Sequence, residues 1–305
     1  MKTILKYFLC VLVVVVGFDL LLGFVAKRYV TTHILPGDYQ AIDYLINRSN
    51  EECLIIGSSL AINSLMPSLM EDSLGMTCYN GGANAQSMPY FETMLDCVFR
   101  RYTPKMVIFV LDPNELSRKG LGQRYNVLVP YYGCGHELID RNLESKDAVE
   151  PWLLRSASYR YNRIWWRILL YHFIGYSNKS DKGFVPHERP MSLPMLKTIQ
   201  NEDTVQACVD SFVRCMTICN DRGVKVVCVF PPGYYSPVNG AFQSVNVVEE
   251  ECLKINAVCI DDSQDSTFLE HPEWFYDNKH FNIDGSVIYT KQFLQELKAH
   301  SQTQQ

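Results

Sequence analysis

Two short motifs, far apart in the chain, carry the residue types that nucleophilic chemistry needs. The first is Gly57-Ser58-Ser59, directly after the apolar run 53–56, and the second is Asp277-x-x-His280. In a turn of helical pitch this spacing puts both side chains on one side, so Asp277 can accept the proton of one His280 ring nitrogen. The other nitrogen is then free to take a proton from a serine hydroxyl. Together the motifs predict a Ser-His-Asp triad.

Each motif also has an ordinary structural explanation. A serine after a strand can cap the next helix, and a lone Asp-x-x-His is usually part of a surface loop. Residues 57–61 also nearly match Gly-x-Ser-x-Gly, the nucleophile turn of α/β-hydrolases. That fold normally takes its acid and its histidine from separate loops, so the close pair Asp277 and His280 is evidence against it.

Five short apolar runs predict the strands that would position these motifs. They alternate with segments of helical periodicity, which favours an α/β fold built from parallel βαβ units. The predicted strands are 53–57, 76–79, 105–111, 225–230 and 257–260, and the predicted helices are 38–47, 68–74, 89–102, 196–221, 247–254 and 283–300. Ligands of open α/β sheets bind beyond the carboxyl ends of the strands, where both motifs would lie.

The alternation stops between about 115 and 195, which predicts an insertion at the active-site edge. Residues 152–184 are both aromatic and basic. Such a surface suits sugar rings, an anionic polymer or a membrane interface, although aromatic side chains packed inward with solvated arginines would give the same composition. We expect this segment to cover the Ser59 site, with Arg163 and Arg167 binding substrate.

The N-terminus predicts a membrane anchor at residues 1–30. Residues 7–26 are almost wholly apolar, which is roughly the length that crosses a bilayer as a helix. Lysines precede the run and Lys27-Arg28 follows it, so the flanking positive charges are nearly balanced. The free amine and the N-terminal position of the run favour a cytoplasmic N-terminus, so we expect a single-pass cell-membrane protein whose bulk is extracytoplasmic. A cleaved signal peptide is the alternative. Asp19 within the run suggests either a partner in the membrane or a tolerated acid near the membrane interface.

Composition sets limits on the rest of the chain. The 305 residues, 47% hydrophobic, suffice for one large core plus an insertion, and a net charge of -5 gives no support to nucleic-acid binding. The eleven cysteines are an odd number. Several lie in apolar runs, among them Cys53, Cys228 and Cys259, and are expected to be small buried side chains. Cys215 and Cys219 have a metal-like spacing, but nothing completes a zinc site, so we expect no metal and no cofactor.

The two motifs resemble those of the SGNH (GDSL-type) hydrolases, which have Gly-x-Ser after the first strand and Asp-x-x-His before the last helix. By this resemblance Ser59 is the nucleophile, His280 the base and Asp277 the orienting acid. Ser58 stands where the family has aspartate, which leaves Ser58 as the alternative nucleophile. The family's oxyanion hole implies a role for the backbone N–H of Ser59.

The same resemblance implies two further oxyanion donors and a fold. Asn114 matches the family's asparagine after the third strand, and Ala85 takes the place of its glycine after the second strand, with Gly82 nearby as a substrate contact. The fold implied for 31–305 is a three-layer sandwich with a mostly parallel, flavodoxin-like five-stranded sheet.

The N-terminal anchor and the Gly-Ser-Ser form of the first motif are similar to those of one branch of this family, the membrane-anchored, DltD-like envelope acyl-transfer proteins. That similarity implies a serine esterase or O-acyltransferase for ester-linked acyl groups of cell-envelope glycans. It also implies a multi-pass membrane acyltransferase as a partner. The alternative is a non-catalytic envelope protein of the same fold that binds glycan or such a partner.

Overall fold

The computed structural model describes residues 1–32, 39–117, 125–166, 170, 173, 180–236 and 238–303. The chain divides into two compact units. The first unit comprises Met1–Asp43 and Gln123–Ser177, and the second comprises Tyr44–Gly122 and Asn178–Gln305. The predicted division into an anchor and one domain with an insertion stays a prediction. The first unit combines the N-terminal helix with part of the predicted insertion.

Helices make up most of the regular structure and are numbered along the chain. Their bounds are α1 Lys2–Thr32, α2 Tyr39–Asn47, α3 Ser59–Ser64, α4 Pro67–Leu74, α5 Met88–Phe99, α6 Glu137–Glu144, α7 Glu150–Leu153, α8 Ala157–Tyr161, α9 Gln206–Asp221, α10 Gln243–Lys254, α11 Ser266–Leu269 and α12 Ile283–Thr303. Short 3-10 helices cover Tyr125–Val127, Val129–Tyr131 and Pro272–Trp274.

The second unit is built on a five-stranded parallel sheet. The strands of the described chain are β1 Cys53–Gly57, β2 Cys78–Asn80, β3 Met106–Val110, β4 Lys197–Thr198, β5 Lys225–Phe230, β6 Tyr235–Ser236 and β7 Val258–Asp261. The main sheet has the order β2-β1-β3-β5-β7, and β4 pairs with β6 in a small parallel ladder. The expected α/β fold with a five-stranded parallel sheet is confirmed.

Both faces of the main sheet are covered, which explains why its strands are continuous apolar runs. On one face Ile55, Ile108 and Val229 pack in a core that includes residues of α3, α4 and α12. On the other face the rings of Phe109 and Phe212 meet edge to face, with centroids 6.2 Å apart. Helices therefore lie on both sides of the sheet.

The strand order decides which loops meet at the carboxyl edge. Strand β1 lies between β2 and β3, and its last residue, Gly57, is in register with Val110 of β3. The segments after β2, β1 and β3 therefore leave the sheet side by side. This is the point in a doubly wound sheet where the strand order reverses and where ligands bind.

The first unit contains the candidate membrane span. Residues Lys2–Val30 of α1 form a helix long and apolar enough to cross a membrane. The first part of this helix is exposed on all sides, whereas Ala26 and Val30 are buried within the unit.

All eleven cysteines are free thiols, and eight of them are buried. Cys53 and Cys228 are fully buried, so they act as small apolar side chains, as their sequence context predicts. Cys259, predicted to be the same, is only half-buried.

Candidate active site

The turn after β1 places Ser59 at the start of α3. A Cβ atom at Gly57 would lie 2.5 Å from the Val110 carbonyl oxygen and 2.8 Å from the Ala61 Cβ, so only glycine fits there. Ser58 is the N-cap of α3, and its Oγ accepts a hydrogen bond from the Leu60 N–H at 3.4 Å. The chain therefore turns from strand to helix within two residues, and Ser59 is the first residue of the helix.

The loop before α12 carries the other two predicted residues. The Tyr276 N–H donates to the His280 carbonyl at 2.8 Å, which closes a tight loop between Phe275 and Phe281. Inside it, one Asp277 oxygen accepts from the backbone N–H groups of Lys279 at 2.8 Å and His280 at 2.9 Å. The carboxylate is thus fixed by the backbone of the loop that also carries the histidine.

The structure brings Ser59, His280 and Asp277 into one hydrogen-bonded chain. Ser59 Oγ and His280 Nε2 are 2.8 Å apart, and His280 Nδ1 lies 3.0 Å from both Asp277 oxygens. With Asp277 accepting the proton on Nδ1, Nε2 is left as an acceptor for the serine hydroxyl. The His280 side chain is 19% exposed, so a substrate can reach the pair from one side.

The electrostatics keep Asp277 ionised. Burial alone would raise the pKa of Asp277, but hydrogen bonds from His280 and from the Lys279 backbone hold it at about 2. A carboxylate that stays charged through the whole neutral range can stabilise the imidazolium that forms when His280 accepts a proton.

The geometry distinguishes the two serines. Ser58 Oγ serves the helix as its cap, whereas Ser59 Oγ faces His280 Nε2. Of the two, Ser59 is the one with a base at hydrogen-bonding distance, as the resemblance implies.

The loop after β2 supplies the second predicted oxyanion donor, Ala85. Its φ of 55° is in the left-handed region that favours glycine. Within the described chain no acceptor takes the Ala85 N–H or the Ser59 N–H, so both backbone donors are available. The Ala83 N–H donates to the Gly57 carbonyl at 3.0 Å, which ties this loop to the end of β1.

Asn80, the last residue of β2, fixes the same loop through its side chain, a role that the sequence did not suggest. Its fully buried amide donates to the carbonyls of Ala61 at 2.6 Å and Leu65 at 3.0 Å, and accepts from the Gly82 N–H at 3.0 Å. A Cβ at Gly82 would lie 2.8 Å from the Ile62 nitrogen, so this glycine lets the loop pack on α3. Its predicted contact with substrate stays a prediction.

Asn114 lies after β3, at the same edge of the sheet, and is buried. Its side-chain NH₂ donates to the Gln200 carbonyl at 2.8 Å, and its oxygen accepts from the Glu202 N–H at 3.0 Å. One of the two amide hydrogens is used in this way, and the predicted role of Asn114 as an oxyanion donor stays a prediction. The side chain is therefore held in one orientation by the segment that follows.

The two predicted arginines are not part of this cluster of described contacts. Arg163 belongs to the first unit, where it lines a cavity of about 150 Å³ together with Arg160, Lys146 and Tyr159. Arg167 lies outside the described residues. Among described residues, no group of three or more His, Cys, Asp or Glu is arranged to hold a metal ion.

His187 was missed by sequence reasoning. Its ring stacks on Tyr276 at 3.9 Å and lies edge-on to His280 at 6.1 Å, and its carbonyl accepts from the Ile283 N–H at 2.9 Å. Burial, with a further contribution from His280, lowers the pKa of His187, so the ring is neutral beside the base. No local motif marks this histidine, because its partners are about ninety positions away.

The segment around His187 runs along the edge of the site. The Val185 N–H donates to the Ile62 carbonyl at 3.1 Å, and the Met191 N–H donates to the Phe275 carbonyl at 2.7 Å. The end of the predicted insertion thus packs beside the Ser59 turn and the His280 loop.

Known proteins add no further identification. No protein-family model matches the chain, and no curated protein matches it either. We therefore infer the function from the geometry of the site and from the resemblance of its motifs.

Proposed function

We propose that this chain is a membrane-anchored serine esterase or O-acyltransferase of the SGNH type. The observation that carries the proposal is the chain of contacts from Ser59 Oγ to His280 Nε2 at 2.8 Å and from His280 Nδ1 to Asp277 at 3.0 Å. A nucleophile, a base and an orienting acid in this order are what acyl transfer through a serine ester requires.

The first half of the reaction forms an acyl-enzyme. Ser59 Oγ attacks the carbonyl carbon of a bound ester while His280 Nε2 takes the hydroxyl proton. The carbonyl oxygen becomes an oxyanion, which the N–H groups of Ser59 and Ala85 and the Asn114 amide stabilise. The intermediate then collapses, and His280 gives its proton to the departing alcohol oxygen.

The second half returns the enzyme. A water molecule or a sugar hydroxyl loses its proton to His280 and attacks the acyl carbon. The Ser59 oxygen leaves and takes the proton back from His280. With water the outcome is hydrolysis, and with a sugar hydroxyl the outcome is transfer of the acyl group.

The substrate class is inferred from the resemblance to envelope acyl-transfer proteins. We propose ester-linked acyl groups on cell-envelope glycans as substrate and a multi-pass membrane acyltransferase as partner. The candidate membrane span in α1 supports work at the envelope, and on this proposal the second unit is extracytoplasmic. The sheet order supports the proposal, because three loops meet where the order reverses, which is where ligands of such sheets bind.

The experiment is the turnover of p-nitrophenyl acetate by the purified full chain, Ser59→Ala and Ser58→Ala. We expect Ser59→Ala to abolish enzymatic turnover. Ser58→Ala should retain most of it, because that change removes a helix cap but leaves Ser59 facing His280. Adding acetylated or free glycan then separates transfer from hydrolysis by mass spectrometry of the glycan. A wild-type chain with no esterase activity on either substrate would favour a non-catalytic binding protein.

Arg163 provides a test of polymer recognition. If it binds glycan, Arg163→Ala should lower turnover of polymeric substrate while p-nitrophenyl acetate reacts as before, since the change does not alter the triad. Equal loss on both substrates together with a lower Tm would show that Arg163 serves the fold.

A further inference from the structure

The second half of α1 has two different faces. One face is buried in the first unit and contains Gly23, Ala26 and Val30. The opposite face is apolar and exposed, with Leu21 at 61% and Phe24 at 74% exposure. At the same level along the helix, one side is therefore covered by protein and the other side is uncovered.

The covered face is held by specific polar contacts. The Asp19 carboxylate accepts hydrogen bonds from Ser156 Oγ at 3.0 Å and from the backbone N–H groups of Ala157 at 2.9 Å and Ser158 at 2.7 Å. One turn further, a Cβ atom at Gly23 would lie only 2.8 Å from the Ala157 Cβ. Lys27 Nζ then donates to the Gly133 carbonyl at 2.9 Å. The acid in the apolar run thus has its partners inside the first unit.

Large apolar side chains are exposed in the segments that precede and follow α8 in the sequence. We call them the collar, and they are Val149, Trp152, Leu153, Trp166, Leu170 and Phe173. Trp166 is 78% and Phe173 is 80% exposed, and the Arg155 guanidinium lies 4.2 Å from the Trp152 ring centroid. Aromatic side chains combined with arginine are typical of the level at which lipid headgroups meet acyl chains.

The length of α1 determines how deep in the bilayer its partly covered turns lie. The part of α1 that is exposed all around ends at Phe18, so Ile4 to Phe18 spans roughly 22 Å at 1.5 Å per residue. The hydrocarbon core of a bilayer is about 30 Å thick. The remaining thickness must be spanned by the next two turns, which are the turns that the first unit covers on one side.

We propose that the collar of the first unit is immersed in the interface of the same bilayer that α1 crosses. Its partner is the lipid leaflet itself. The exposed face with Leu21 and Phe24 contacts acyl chains, and the collar side chains insert beside them. Lys27, Arg28 and Arg155 carry the positive charge that anionic headgroups would complement on this proposal. This inference goes beyond the proposed chemistry and does not depend on it.

The four tryptophans of the chain allow a direct test. Full-length variants that retain one tryptophan, with the others changed to phenylalanine, are reconstituted in vesicles of brominated phosphatidylcholine. Trp152 and Trp166 report on the collar. Trp274, which stacks on His271 at 3.9 Å in the second unit, reports on non-specific quenching. Val14→Trp in a tryptophan-free chain reports on the bilayer interior.

We expect lipid brominated near the headgroup to remove roughly half or more of the Trp152 and Trp166 emission, as for aromatic side chains of a membrane interface. Lipid brominated near the chain end should affect these two less, whereas Val14→Trp should show the opposite order and Trp274 the least change. Quenching of Trp152 and Trp166 no stronger than that of Trp274, with Val14→Trp still quenched, would overturn the proposal. Such a result would mean that a protein partner or water covers the collar. Strongest quenching of the collar by chain-end bromine would contradict the interfacial depth.

Discussion

Lys279, which lies between Asp277 and His280 in the sequence, forms an ion pair with Asp112 just beyond β3. Asp112 in turn accepts from the Asn114 N–H at 3.0 Å. Burial alone would lower the pKa of Lys279, but the Asp112 carboxylate raises it above its usual value, so Lys279 is charged at neutral pH. This pair connects the loop of the base to the strand end that carries the proposed oxyanion donor.

Removing the ion pair should therefore displace the His280 side chain while leaving its chemical identity unchanged. We expect Lys279→Met to lower kcat on p-nitrophenyl acetate by about tenfold, with little change in KM, because small displacements of a base are costly. Lys254→Met is the control, since it removes an exposed ion pair with Glu251 on α10. Equal activity of Lys279→Met and Lys254→Met would show that the ion pair does not position the base.

Asp277→Asn tests the orienting acid. The amide has the size of the carboxylate but cannot hold the same tautomer of His280, so kcat should fall by roughly 10³-fold or more. Because the pKa of Asp277 is about 2, wild-type activity should not report its titration between about pH 4 and 9. The control is Asp284→Asn, an exposed position in the first turn of α12. Activity of Asp277→Asn near the wild-type value would remove Asp277 from the mechanism.

Asn114→Ala tests the side-chain oxyanion donor. Loss of one such donor costs about 10²–10³ in kcat. The side chain also holds residues 200–202, so a second variant is needed. Ser117→Ala loosens the same segment by removing the bond from Ser117 Oγ to Glu202 at 2.9 Å. If both variants lose activity and Tm in parallel, Asn114 acts only by holding that segment.

Glu115 gives a pH dependence of stability that is separate from catalysis. It is fully buried, and burial, reinforced by Asp112, raises its pKa to about 8. Between the ordinary value of 4.5 and about 8 the unfolded chain releases the proton while the folded chain keeps it. The contribution of protonated Glu115 to the free energy of unfolding is therefore complete below about pH 4.5. It falls by about a few kcal/mol as the pH rises towards 8.

The measurement is Tm against pH for the wild type and Glu115→Gln. The glutamine can still accept from the Asp112 N–H, which lies 3.2 Å from Glu115 Oε2, but it does not titrate. We expect the variant to lose less stability than the wild type between pH 5 and 8, and Glu250→Gln, an exposed control, to follow the wild type. Identical slopes for all three proteins would show that Glu115 ionises normally.

The sequence predicts the sheet because its strands are buried on both faces. Continuous apolar runs mark β1, β3, β5 and β7 to within a residue or two. The predicted helix 196–221 is wrong in its first half, since α9 begins only at Gln206. The preceding residues are held extended by Asn114, and the Val205 N–H donates to the Leu116 carbonyl at 2.7 Å. Such long-range partners leave no local periodicity.

The difference between local sequence patterns and long-range contacts also decides which residues of the candidate site could be predicted. Ser59, Asp277 and His280 could be found because each belongs to a short motif at a strand end or before a helix. His187, Asn80 and Lys279 could not, because their roles come from contacts that only the folded chain creates. Asp19 is a similar case, since its three donors lie more than 130 positions away.

The measurement that tests the central claim most directly is the site of reaction with a fluorophosphonate probe. The folded full chain is treated with the probe, and the modified peptide is identified by mass spectrometry. We predict a single phosphonylated residue, Ser59, with labelling lost in Ser59→Ala and His280→Ala and retained in Ser58→Ala. No labelling of the folded wild-type chain, or labelling that persists in Ser59→Ala, would contradict the assignment of Ser59 as the nucleophile.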